Sequence, residues 1–250
     1  ARKTLNKKEL AEFKWNVNEY IKRGRENGIS ADWSKELENA SARVHIRRLE
    51  ALKLQCGQCI ESLYNSFDNN TGLLIENIYK DSIYHTAYEI AEGTGIGTSF
   101  TAIDTERLKR VISKPWSADG KSFSERIWGE HRAKLVNTLY NQLSRGILTG
   151  KSPDKIIDGI AKTMKTSRSS ASRLVMTESA YFASAGQMES YKKLRVKRYQ
   201  ILGTLDSNTC EECGSLDGKD FDIKDFEAGI TAPPFHPNCR CTTIPYFDDE

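Results

Sequence analysis

Hydrophobic positions recur at helical spacing through the first two-thirds of the chain and turn to alternation only near the C-terminus. Over residues 7–25, Leu10, Phe13, Trp15, Val17, Tyr20 and Ile21 mark the apolar stripe of a first helix, which Asn27-Gly28 terminates. Ser30 or Asp32 caps a second helix predicted over 33–67, with Leu37, Val44, Ile46, Leu49, Leu52, Leu54, Ile60 and Leu63 on its apolar side. Asp68-Asn69-Asn70 is expected to break it. A third helix over 73–91 then carries Leu74, Ile75, Ile78, Tyr79, Ile83, Tyr84, Tyr88 and Ile90. The pattern is that of long antiparallel helices joined by short turns.

Glycines at 93, 95 and 97 punctuate the middle of the chain. They lack the lysine and the preceding strand of a phosphate loop, so a turn between segments is expected. Asp104 opens a short helix to residue 112. A second helical set starts at Ser122, where Phe123, Ile127, Trp128, Leu135, Leu139, Leu143 and Ile147 suit one amphipathic helix ending at 146–150. Ser152-Pro153 starts the next, since proline is tolerated at the first helical position, and it is expected to end near Met164. Another helix covers 167–194. Residues 198–202 read as a strand, Leu216-Asp217-Gly218-Lys219 as a hairpin tip, and 242–246 as a closing strand. The predicted class is α+β: long N-terminal helices followed by a compact helical and small-β C-terminal module.

Composition narrows this only a little. The 250 residues carry 37 Lys and Arg against 34 Asp and Glu, a net charge of +3 that does not by itself argue for a polyanionic partner. No apolar run approaches the length of a membrane span. Six cysteines in a chain this long suit free thiols in a reducing compartment better than a small disulfide scaffold.

The chemistry concentrates near the C-terminus. Cys210 and Cys213 form a C-x2-C pair, and His236, Cys239 and Cys241 follow Pro233-Pro234 within one short segment. Thiolates and imidazole are the ligands of a tetrahedral zinc site, and C-x2-C lets two sulfurs reach one ion from a tight turn. Four of these five residues would hold the ion in a zinc knuckle. The alternatives are reduced thiols in a small β core, or a disulfide between the two clusters. Cys56 and Cys59 also form C-x2-C, but inside a helical pattern with no second pair nearby, so they read as structural.

Two further groups stand out. Arg173, Thr177 and Glu178 lie on one predicted helix, and a network tying them to Asp206 and Arg240 is favoured over a catalytic glutamate. Lys192, Lys193, Arg195, Lys197 and Arg198 form a basic run suited to phosphate contact. Arg43, Arg47, Arg48 and Lys53 make a weaker basic face, with His45 in the same stretch.

An ordered series of motifs resembles a known family. It comprises Ser124-Glu125-Arg126-Ile127-Trp128; Arg145-Gly146-Ile147 with Gly150 and Ser152; Arg173, Thr177, Glu178, Ala180 and Ala183; Leu205 to Cys210 with Cys213; Leu216-Asp217-Gly218; and Pro233-Pro234 to Cys241. The series resembles that of tailed-phage minor head proteins with the Mu F-like head-morphogenesis domain. The resemblance covers about residues 115 to 247. It implies a minor capsid protein of the virion, near the portal vertex, acting in capsid assembly or DNA packaging. Its implied partners are the portal and other phage head proteins, with DNA nearby and no membrane. Its implied location is the virion, and the host cytoplasm during assembly. Some relatives carry a fused toxin or nuclease module; none is expected here, since nine residues follow Cys241. The expected layout is a helical arm over 1–114 and the Mu F-like domain over 115–250, non-enzymatic, with zinc as a structural cofactor. The competing expectations are a nuclease-like DNA-processing enzyme and a free nucleic-acid-binding zinc module.

Overall fold

A computed structural model describes residues 4–27, 31–43, 46–95 and 103–247. Eight α-helices and three strands follow in chain order among these residues: α1 (Lys7–Asn27), α2 (Ala31–Ala42), α3 (Arg48–Thr94), α4 (Thr105–Ser113), α5 (Phe123–Glu125), α6 (Ala133–Leu148), α7 (Pro153–Lys193), β1 (Arg198–Leu202), α8 (Glu211–Leu216), β2 (Asp220–Asp222) and β3 (Thr242–Tyr246). A π-helical segment, Arg126–Arg132, joins α5 to α6. The helical majority with a small sheet agrees with the α+β expectation. By packing, the chain divides into residues 1–69 with 127–168, and residues 70–126 with 169–250.

In the first unit, α1 begins where Asn6 and Glu9 cap each other. The Glu9 amide donates to the Asn6 side chain at 2.9 Å, and the Asn6 amide donates to the Glu9 carboxylate at 2.8 Å. Phe13 and Val17, one turn apart on α1, are buried with Trp33, Leu37 and Ala40 of α2 and with Ile46, Ala51 and Leu54. The helix expected over 33–67 is interrupted, because Thr4 bridges Arg47 and the Leu5 amide donates to the Ile46 carbonyl at 3.0 Å. Val44 and His45 lie outside the described residues. The buried Trp33 indole donates to Gln58 at 2.7 Å, and Gly57 leaves room for that ring.

The break expected at Asp68-Asn69-Asn70 does not occur, and α3 runs through it for 47 residues. Tertiary packing overrides the local turn preference: the Trp128 indole holds the Asp68 carboxylate at 2.9 Å. The break expected near Met164 is also absent. Thr163 and Thr166 return their hydroxyls to the carbonyls of Gly159 and Lys162, both at 3.1 Å, so these residues sit inside a helix with their polar groups satisfied. Gly146 seats Ile156 where α6 meets α7. The Glu61 carboxylate is buried and engaged by the Arg132 guanidinium, with its Nε at 2.6 Å.

The second unit is built around the C-terminal half of α7. At Gly186 an added Cβ would stand 2.7 Å from the Tyr79 carbonyl, so the glycine permits the close crossing of α3. The Ser190 hydroxyl donates to the Ile83 carbonyl. Asp104 caps α4 as expected, and Ser122 with Glu125 forms a capping box on α5. The sheet has the order β2-β1-β3, antiparallel throughout, with Gln200 opposite both Asp220 and Ile244. Tyr199 and Ile201 of β1 face inward onto Met188, Tyr191 and Val196. The expected hairpin tip at 216–219 instead leads from α8 into β2, with Gly218 in the left-handed region at φ +76.

Candidate metal centre

Three short pieces of chain bring the five predicted donors together. Cys210 caps α8, its sulfur accepting from the Cys213 amide at 3.3 Å. That cap turns both thiols of the C-x2-C pair toward the same side. The loop before β3 supplies the rest, stabilised where the Cys239 amide donates to the His236 carbonyl at 3.1 Å and Asn238 takes a left-handed φ of +61. The Asn238 amide also donates to the Thr177 hydroxyl oxygen at 3.3 Å, tying this loop to α7.

Cys213 lies at the centre of the cluster. The donors form two triads that share it: Cys210, Cys213 and His236, and Cys213, Cys239 and Cys241. His236 Nε2 lies 3.1 Å from both Cys210 Sγ and Cys213 Sγ. Cys213 Sγ and Cys239 Sγ are 3.8 Å apart, and all six cysteines of the chain are free thiols. Zinc–sulfur bonds of about 2.3 Å at tetrahedral angles put two sulfurs about 3.8 Å apart, so this spacing suits two thiolates on one ion. His236 Nδ1 lies 3.0 Å from the Pro237 carbonyl. A proton on Nδ1 satisfies that carbonyl and leaves the Nε2 lone pair facing the sulfurs, the tautomer a metal ligand needs. Burial pushes the Cys213 thiol well up and the Cys241 thiol up to about 11, while the Cys213 amide pulls Cys210 down. The donor set fits zinc.

The second predicted group separates into two. Asp206 and Arg240 form a two-pronged ion pair with both bonds at 2.6 Å, and the Thr204 hydroxyl donates to the Arg240 carbonyl at 3.1 Å. This pair braces the turn before α8 against the chain between Cys239 and Cys241. Glu178 joins neither Asp206 nor Arg173. It is buried, it accepts from the Trp116 indole at 2.8 Å, and it pairs with the Arg126 guanidinium. Burial pushes its carboxyl up, against the pull of Trp116 and Arg126. Trp116 in turn stacks on Tyr181 with ring centres 4.4 Å apart. Thr177 donates to the Arg173 carbonyl at 2.8 Å, and the Arg173 side chain is exposed. Arg126, Trp116 and Asp119 were not foreseen in this network. The sequence signal was the motif Ser124 to Trp128, which holds Arg126 but does not point to Glu178, 52 residues further on.

The basic run is partly neutralised. Lys193 lies 3.7 Å from Glu189, and Arg198 pairs with Asp220 while its guanidinium sits 5.0 Å over the Tyr246 ring. Lys192, Arg195 and Lys197 are exposed. On the weaker face, Arg43 pairs with Glu50, Arg48 with Glu9 at 2.5 Å, and Lys53 lies 5.5 Å over the Tyr140 ring. Cys56 and Cys59 sit within α3, as their helical pattern suggested.

The fold and site together define a class: a largely helical protein whose small β module gathers a cysteine–histidine cluster. Residues 137–244 match the family described as Phage Mu protein F like protein, the family that its motifs resemble. It is also 23% identical over 236 residues to NAD(+)--arginine ADP-ribosyltransferase EFV of Enterococcus faecalis (strain ATCC 700802 / V583). That match takes in 82% of this chain and 47% of the relative, so the chain spans about half the relative's length. No solved structure matches the chain. No helix among the described residues is long and apolar enough to cross a membrane.

Proposed function

We propose that this protein is a structural component of a tailed-phage head, acting in capsid assembly and DNA packaging near the portal vertex. The observation that carries the reading is the Mu F-like match over residues 137–244, whose C-terminal part takes in all five donors of the cysteine–histidine cluster. Zinc held by four of Cys210, Cys213, His236, Cys239 and Cys241 would staple α8 to the loop before β3. A staple of this kind stabilises a module with only three short strands. Residues 1–114 would serve as the helical arm that meets the portal and other head proteins, and residues 115–250 as the head-morphogenesis domain. Contact with packaged DNA belongs to the same reading.

A structural rather than enzymatic role is supported by how the polar groups are used. Glu178 is committed to Arg126 and Trp116, and Asp206 to Arg240. A thiolate-rich donor set suits a closed structural ion better than a hydrolytic one, which needs an open position and an activating base. The transferase activity named for the enterococcal relative is not carried over, because the chain accounts for 47% of that protein.

The test measures metal and incorporation together. Purified reduced protein is expected to hold about one zinc per chain by elemental analysis. Cys213→Ser should lower zinc content and melting temperature more than Cys59→Ser, and the protein should copurify with assembled heads. Full stability without metal would remove the zinc staple. Absence from heads, or DNA cleavage by the intact protein, would remove the structural role.

A further inference from the structure

The positive charge of this chain is unevenly placed. The hairpin of α6 and the first part of α7, residues 133–168, holds seven Lys and Arg against two Asp, a net +5. The whole chain carries only +3, so everything outside the hairpin totals −2. Each of the seven, Lys134, Arg145, Lys151, Lys155, Lys162, Lys165 and Arg168, is exposed. None of them stands in an ion pair among the described residues, in contrast to Lys193 and Arg198 of the 192–198 run.

The most ordered part of this charge lies on α7. Lys162, Lys165 and Arg168 are spaced i, i+3, i+6, so they form one stripe about 9 Å long at 1.5 Å per residue. No acidic residue occurs from 159 to 177. The opposite side of the helix is used for packing, where Thr163 accepts from the Gln142 amide at 2.8 Å and Ile156 fills the space over Gly146. The stripe is therefore held outward by α6. Arg173, further along the same helix, is exposed as well.

We propose that the α7 stripe of Lys162, Lys165 and Arg168 is a contact surface for the phosphate backbone of DNA, bound without regard to sequence. This rests on the DNA-contact part of the reading above and names the surface that makes it. Lys and Arg side chains are the usual phosphate-contacting groups, and all three of these are exposed. A protein partner would call for aromatic or aliphatic anchors as well, and between Lys162 and Arg168 the one apolar side chain is Met164, 37% exposed. Each strand of duplex DNA presents one charge per about 3.4 Å of axis, so a stripe of about 9 Å is matched by about three phosphates of one strand, and all three cations can be engaged together.

The experiment measures binding of a random-sequence duplex to the full chain by fluorescence anisotropy at several salt concentrations. Three released counterions contribute about 2.7 to the slope of log K against log salt. The triple variant K162Q/K165Q/R168Q should lose about that much slope, which shrinks the weakening between 50 and 200 mM salt by roughly 40-fold. The comparison variant K192Q/R195Q/K197Q should lose less. If the chain binds DNA and only the comparison variant changes the slope, the α7 surface is overturned while DNA contact stands. If the chain does not bind DNA at all, both fall. A polyglutamate competitor separates the remaining partner: displacement of DNA at matched charge concentration would mean an acidic protein surface, and the DNA assignment would be overturned.

Discussion

Replacing Arg126 with Met tests whether the Glu178 network is held by charge. Glu178 is 1% exposed and the Arg126 side chain 13%, so the variant leaves a carboxylate in the interior with the Trp116 indole as its one remaining partner in the pair's place. Stranding one member of a buried pair typically costs about 3–5 kcal/mol. Glu178 has an escape, however: it can take up a proton. Protonation at pH 7 of a group whose ordinary value is 4.5 costs about 3.4 kcal/mol at about 1.36 kcal/mol per unit, and this caps the loss. Near pH 5.5 the same cap is about 1.4 kcal/mol. The sign follows from linkage. Burial already raises the folded-state value in the parent and loss of Arg126 raises it further, so the deficit is smallest below about 4.5 and grows as the pH rises. The bond from Arg126 to Asp119 is exposed at the acceptor side and adds little. Equilibrium urea unfolding of variant and parent at both pH values is the assay. The expected result is a deficit of about 3 kcal/mol near pH 7 that narrows by about 2 kcal/mol near pH 5.5. E178Q placed in the R126M background should recover most of it. A deficit under about 1 kcal/mol near pH 7, or one of equal size at both pH values, would refute the reasoning.

Two glycines on helices should respond in opposite directions to alanine. At Gly57 a Cβ would stand 2.4 Å from the Trp33 ring and 2.6 Å from the Tyr140 hydroxyl, so G57A should destabilise by about 1–3 kcal/mol despite better helix propensity. At Gly159 the nearest atom is the Gln142 side chain at 3.6 Å, so G159A should stabilise by about 0.5–1 kcal/mol; thermal melts of both variants check the pair. Arg240 holds the Asp206 carboxyl at about 2, below its ordinary 3.8, so the stability it contributes is present above 3.8 and is lost as the pH falls toward 2. D206N should therefore show a shallower fall in melting temperature over that acid range than the parent, and identical profiles would count against the brace.

Local pattern was enough for much of this protein. The caps at Asp104 and Ser122 start helices because their side chains satisfy amides two and three residues away, an interaction that sequence spacing alone specifies. The five metal donors were legible for a similar reason: C-x2-C sets its own turn, and His236 to Cys241 are near neighbours in the chain. What the sequence could not decide was where long helices stop and which distant charges meet. Asp68-Asn69-Asn70 has the composition of a turn, yet Trp128, 60 residues away, holds Asp68 and the helix continues. Within the basic run Lys192, Arg195 and Lys197 stay exposed, but Asp220 meets Arg198 through the β1–β2 pairing, which no spacing in the run announces. Glu178 carried no sign in its own neighbourhood that Arg126 would be its partner. Capping and turn formation are set within a few residues, whereas burial and charge pairing depend on what the fold brings from elsewhere, and only the tertiary structure supplies that.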